Sequence, residues 1–197
     1  TRRGIGEWLR NHTWPPQVYF ILGNEFCERF CFYGMKAVLP FFLTGVCNFS
    51  ERNATTFIHG FNFSAYFFAF IGAVISDQWL GRYMTILIFS IIYAFGSTIL
   101  SVGSMPFKVL GSRVLVPVLG LFLLTVGTGG IKPCVSVFGG DQFNQNQARQ
   151  RESFYALFYL AVNLGSLLSI LLTPELKHVK CMGDDTCYPL HLEFLHC

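Results

Sequence analysis

The sequence predicts an all-α membrane protein, a bundle of five transmembrane helices with the start of a sixth. Three observations carry that prediction. Charged residues make up only 13% of the 197 residues and hydrophobic ones 52%, about half the charge of a soluble domain, which carries roughly 25%. Apolar runs of spanning length recur at residues 17–46, 57–76, 84–104, 114–138 and 153–173, and about twenty such residues suffice to cross a bilayer core. Short polar loops join them, and lipid tolerates only helices or closed barrels; these runs are too long and continuous for barrel strands. The net charge of +3 is spread along the chain, which speaks against a nucleic-acid partner.

Residues 1–16 form a polar, basic segment with Arg2, Arg3 and Arg10, and Trp8 and Trp14 suit a membrane interface. No short apolar stretch closed by a small-residue cleavage site opens the chain, so no signal peptide is expected. The first run, 17–46, exceeds the length a straight span needs, which predicts tilt or a kink near Gly34 or Pro40. Residues 47–56 read as a polar loop, and residues 77–83 as a tight polar turn after the second run. The third and fifth runs carry no charge, and the fourth holds Lys132-Pro133 late in its course. Residues 139–152 are strongly polar, a second polar loop leads to Pro189, and the last eight residues would open a sixth span. The chain starts on Thr1 rather than Met and stops at Cys197, which predicts a fragment.

Orientation rests on Lys and Arg near the span ends. With the N-terminus inside, Arg2, Arg3, Arg10, Arg82, Arg149 and Arg151 lie inside, against Arg52, Lys108, Arg113, Lys177 and Lys180 outside. That margin is thin. The N-terminal basic cluster favours it, as do two glycosylation sequons in the first loop, at Asn48 and Asn53. A third sequon, at Asn11, falls inside in this arrangement.

The chemistry concentrates in the first run. Glu25, Glu28 and Arg29 stand inside an apolar segment, where each charge costs roughly 2.5 to 3.5 kcal/mol to insert and therefore faces a cavity or a partner. Glu25 and Arg29 are four apart, in the favourable order for a helical ion pair, and Glu28 shares their side of the helix. At about 1.5 Å per residue, Arg29 lies about 18 Å from Gln17, a depth that Tyr66 and Asn163 share on the second and fifth runs. Lys132 lies in the inner half of the fourth. Polar groups converging near the midplane mark solute sites in secondary transporters. Singly, Asn163 also suits inter-helix hydrogen bonding, Tyr66 packing, and Lys132 snorkelling to the interface. His59, near the outer end of the second run, suits a proton relay or a helix-end hydrogen bond equally.

Gly127 to Pro133 lacks the spacing of a phosphate loop and sits in an apolar run, so its glycines predict close helix approach. Cys27, Cys31 and Cys134 read as small buried apolar residues. Cys181 and Cys187 flank a polar loop on the outer side and form a candidate disulfide. The seven cysteines show no metal-ligand spacing, and no nucleophile–base pair clusters; neither an enzyme nor a metal or organic cofactor is expected.

Together these residues resemble the proton-coupled oligopeptide transporter family of the major facilitator superfamily. Glu25, Glu28, Arg29, Phe30, Tyr33 and Gly34 match the family's first-helix motif, E-x-x-E-R-F-x-Y-Y-G, with Phe32 in place of a usual tyrosine. Gly72 to Asp77, followed by Gly81 and Arg82, looks like the superfamily's loop motif between helices two and three. Gly127 to Pro133 with Phe138 to Phe143, and Phe158 to Ser166, look like the fourth- and fifth-helix signatures. The resemblance covers residues 18–190; the tail, 191–197, does not resemble the family's sixth helix, which again predicts truncation.

The resemblance implies the N-terminal bundle of a major facilitator fold and symport of protons, the coupling ion, with di- and tripeptides. It assigns Arg29 and Lys132 to the peptide's carboxylate, Glu25, Glu28 and His59 to proton coupling, and Tyr33, Tyr66 and Asn163 to the peptide pocket. Gly72, Asp77, Gly81 and Arg82 would serve the conformational change. A tyrosine missing at Phe32 removes a hydroxyl from the site. The partners implied are small peptides, protons, the lipid bilayer and an absent C-terminal bundle of the same polypeptide, in a multi-pass protein of the plasma membrane. The rival readings are the same fold carrying nitrate or another small solute, and a truncated membrane protein that does not transport.

Overall fold

The computed structural model describes residues 14–45, 47–103 and 114–176. Within these residues five long helices follow one another: α1 (Pro16–Gly45), α2 (Glu51–Ile75), α3 (Gly81–Gly103), α4 (Leu115–Gly140) and α5 (Ala148–Leu176). A π-helical turn, Ser76–Leu80, joins α2 to α3, and a 3-10 turn, Gln145–Gln147, precedes α5. No strand occurs among the described residues. Cys181, Cys187 and the tail 191–197 lie outside them.

Local chemistry explains where the helices depart from the apolar runs. Pro16 opens α1 at a position where its missing N–H costs nothing. The helix continues through both Gly34 and Pro40. Over 30 residues it is about 45 Å long, enough to span at a tilt. The second helix starts at Glu51, six residues before the apolar run, because Ser50 caps it: its hydroxyl accepts the Asn53 N–H at 3.4 Å. The expected tight turn at 77–83 is instead helical almost throughout; the reversal falls on Gly81 alone, at φ +73°, a backbone angle glycine adopts freely. The fifth helix likewise begins early, after a capping box in which Asn144 and Gln147 bond reciprocally.

Among the described residues, three stretches are long and apolar enough to cross a membrane: residues 51–103, which hold both α2 and α3, 115–140 and 145–173. Every eighteen-residue window of α1 holds at least three of Glu25, Glu28, Arg29 and Lys36, so α1 has the length of a span but not the composition of a lipid-facing one. The apolar window of α4 is 56% buried, against 17% for that of α5, which makes α4 the central helix.

Glycines allow that position. A Cβ on Gly72 of α2 would lie 2.6 Å from Gly130 Cα of α4, one on Gly96 of α3 2.7 Å from the Leu124 nitrogen, and one on Gly127 2.7 Å from Tyr93 Cβ. The glycine run 127–130 thus works as the sequence suggests, letting α2 and α3 close onto α4 backbone to backbone. Gly72 belongs to this crossing rather than to the α2–α3 connection. Helix α1 packs mainly on α5, where Gly165 meets the Phe26 carbonyl and Ser169 donates to the Phe30 carbonyl at 2.5 Å.

The main apolar core gathers Phe32, Met35, Leu39 and Phe42 of α1 with Phe61 of α2, Leu100 of α3 and Leu124 of α4. A smaller cluster at the opposite end unites Val18, Phe143 and Phe154. Cys134 is buried as expected, whereas Cys27 is exposed and Cys31, though buried, is disulfide-bonded. Asn48 and Asn53 are both exposed, beside the start of α2.

Candidate functional site

The charges of α1 form one buried cluster. Arg29 is 3% exposed, and its Nε stands 3.1 Å from Glu25 Oε1 while its Nη2 pairs with Glu28 Oε2. Helical i,i+4 spacing accounts for the first contact; the second joins sequence neighbours. The Arg29 guanidinium thus pairs by charge with both carboxylates and also hydrogen-bonds to Glu28. One guanidinium therefore serves two carboxylates. That arrangement keeps a buried anion in excess unless a proton or a further cation balances it.

The neighbouring helices supply the rest. Thr128 of α4 donates its hydroxyl to Glu28 Oε1 at 2.7 Å. Lys132, one turn further along α4, interacts electrostatically with Arg29, Glu28, Lys36 and Glu25. Its ammonium sits over the Tyr66 ring of α2, 5.2 Å from the centroid, a cation–π contact. Lys132 and Tyr66 are both exposed, so this pair borders the open side of the cluster. Tyr93 of α3 brings a buried hydroxyl, without a hydrogen-bond partner among the described residues, into the field of Glu28 and Arg29.

Of the residues singled out in the sequence, Glu25, Glu28, Arg29 and Lys132 form one electrostatic unit. Tyr66 joins through Lys132, and Tyr33, half-buried on α1, interacts with Arg29. Asn163 does not join: it is exposed, and its side-chain amide turns back to the Tyr159 carbonyl at 2.7 Å. His59 also stands apart, exposed on α2, with no described contact to the carboxylates. Phe32 is buried, with the Arg29 guanidinium 5.4 Å from its ring centroid and Phe61 stacked at 6.2 Å. The ring thus lies between the Arg29 and Lys36 cations and the apolar core of α1 and α2.

The α2–α3 connection forms a separate feature. Arg82 pairs with Asp141 at the end of α4, not with Asp77. Asp77, Gly81, Arg82, Tyr83 and Asp141 line a shallow cavity of 410 Å³. Both members of the pair are half-exposed, where an ion pair contributes about 1 kcal/mol or less.

Three participants were not foreseen: Tyr93, Lys36 and Thr128. Lys36 places its ammonium 5.7 Å from the Phe32 ring and 5.9 Å from that of Tyr33; the seven-residue interval from Arg29 already aligns the two on α1. Thr128 precedes Lys132 by four, the interval that sets two side chains on one helix face. That interval was readable in the sequence; its target on α1 was not.

Relatives give the same picture. A family model described as "POT family" matches residues 83–190. The chain is 47% identical over 179 residues to Peptide transporter family 1 of Drosophila melanogaster, covering 90% of this chain and 24% of that protein. It is 45% identical over 182 residues to human Solute carrier family 15 member 2, covering 90% and 25%. The chain thus spans about a quarter of the length of these relatives. Among solved structures, the in meso crystal structure of the POT family transporter PepTSo superposes with a TM-score of 0.79 at 33% identity, covering 93% of this chain and 35% of that one. An auto-inhibited POT family peptide transporter follows with 0.77 at 35%, covering 92% and 35%. The helices, the glycine-rich centre and the charged first helix are those of a multi-pass membrane protein, and the chain belongs to the POT family.

Proposed function

We propose that this chain is the N-terminal bundle of a proton-coupled symporter of di- and tripeptides in the plasma membrane. The observation that carries the reading is the buried Arg29 held between Glu25 and Glu28 with Lys132 on the open side. A carboxylate arriving beside Lys132 competes with the two glutamates for Arg29, and protonating a glutamate releases the guanidinium to meet it. Proton binding and anion binding then favour one another, which is the linkage a symporter needs. The names of the relatives, peptide transporters, support peptides over nitrate as the solute.

In this reading Arg29 and Lys132 receive the peptide carboxylate, Tyr33 and Tyr66 line the pocket, and Asn163 faces the space that a second bundle closes. His59 assists proton entry at the outer end of α2 rather than at the carboxylates themselves. Transport proceeds by alternating access of two bundles around a midplane site, with the C-terminal bundle supplied by the rest of the polypeptide.

The test is dipeptide uptake into cells by the polypeptide carrying this bundle, at acid and at neutral pH, beside Arg29→Ala. Acid-stimulated uptake that Arg29→Ala abolishes is expected. Surface-expressed protein that takes up no dipeptide would overturn the substrate, and uptake indifferent to pH would overturn the coupling.

A further inference from the structure

Glu25 and Glu28 are not held alike. Glu25 touches one cation, Arg29, on its own helix. Glu28 has its two oxygens on different helices: Oε2 takes the Arg29 guanidinium on α1, and Oε1 accepts the Thr128 hydroxyl from α4 at 2.7 Å. Thr128 is 2% exposed and its Cβ is branched, which restricts the hydroxyl to few rotamers. The flanking Gly127, Gly129 and Gly130 press α4 onto α3 and α2, so the backbone carrying Thr128 has little room to move. Lys132 rides on the same face of the same helix one turn away.

We propose that Thr128 is a positioning residue for the coupling site, one that holds the Glu28 carboxylate toward Arg29 and ties α4, with Lys132, to the proton state of α1. The proposal rests on the coupling role given to Glu28 above. Around Glu28 stand Glu25 and Arg29 of α1, Lys132 of α4 and Tyr93 of α3, with Lys36 of α1 in the field of Lys132. Of the two neutral hydroxyls, only that of Thr128 is engaged with the carboxylate. A hydroxyl donating to an ionised carboxylate favours that form. It also fixes which oxygen is left for the guanidinium. Protonated Glu28 no longer needs that donor, so proton uptake loosens the α1–α4 link at the same step that frees Arg29.

The comparison is Thr128→Val, which keeps the branched shape and removes the hydroxyl, against Thr128→Ser, which keeps the hydroxyl. A hydrogen bond to a charged group is worth about tenfold or more in an equilibrium. In dipeptide uptake by the whole polypeptide, the pH of half-maximal uptake is therefore expected to move about one unit alkaline in Thr128→Val and to stay near the parent value in Thr128→Ser. Parent uptake that is absent or indifferent to pH would count against the proposed function, not against the positioning. A second readout is therefore independent of transport. In infrared titration of the purified protein, the carboxyl band removed by Glu28→Gln should appear at higher pH, by about one unit, in Thr128→Val. An unmoved band, or an equal shift in Thr128→Ser, overturns the proposal.

Discussion

Gly165 of α5 approaches α1 so closely that a Cβ there would stand 2.7 Å from the Phe26 carbonyl oxygen and 3.4 Å from Arg29 Cβ. The helix that bears the buried charges is thus positioned by an absence of side chain on its partner. Ser169, one turn on, completes the seam with its bond to the Phe30 carbonyl. Because the obstacle is backbone rather than a movable side chain, Gly165→Ala has to push α5 away from the charged turn. Overpacking of this kind costs about 1–3 kcal/mol, so a clear fall in the thermal unfolding midpoint of the purified protein is expected. A midpoint equal to that of the parent would mean that α1 and α5 are less closely seated than described.

Two glycines of α2 should respond in opposite ways. A Cβ on Gly72 would stand 2.6 Å from the Gly130 Cα, whereas one on Gly60 would meet nothing within 4 Å. Alanine is the better helix former by about 0.5–1 kcal/mol. Gly60→Ala is therefore expected to leave the unfolding midpoint unchanged or raised, and Gly72→Ala to lower it by separating α2 from α4. Equal behaviour of the two variants would contradict the crossing.

Removing Arg29 should cost folding stability as well as transport. Its loss leaves Glu25 and Glu28 buried and without their cation; breaking a buried pair in this way costs about 3–5 kcal/mol. Arg29→Ala should unfold at a much lower temperature, and adding Glu25→Gln and Glu28→Gln to it should recover part of the loss. If the triple variant is no more stable than Arg29→Ala, unpaired charge is not the cause.

The Lys132–Tyr66 contact separates ring from hydroxyl. At 5.2 Å over the ring face, the ammonium interacts with the π-system, a contact worth about 0.5–1 kcal/mol at an exposed site. Tyr66→Phe should hold dipeptide KM near the parent value, while Tyr66→Leu should raise it about two- to fivefold. A large rise with Tyr66→Phe would instead assign the hydroxyl to the solute.

Much of this molecule was legible because its determinants are local. Ion-pair spacing within one helix, apolar runs and a glycine-rich stretch are properties of neighbouring residues, so Glu25, Glu28, Arg29 and the close approach at 127–130 could be read from the chain. Helix starts were less legible, since Ser50 and Asn144 let polar residues that read as loop join α2 and α5. Depth along a helix predicted that Asn163 would lie level with Arg29. The structure leaves its side chain outside the cluster, turned back to the Tyr159 carbonyl, because depth fixes height but not the direction in which a helix face turns.

The sequence by itself determined that α1 is a helix carrying charges it must satisfy within the membrane, and which family bears them. Only the tertiary structure decided which partners satisfy them. Thr128 meets Glu28 across 100 residues of chain, Arg82 pairs with Asp141 rather than with nearby Asp77, and Gly165 seats α5 against Arg29. The physical reason is that a helix periodicity fixes which side chains share a face, whereas the rotation and closeness of two helices depend on how small residues on both let their backbones meet.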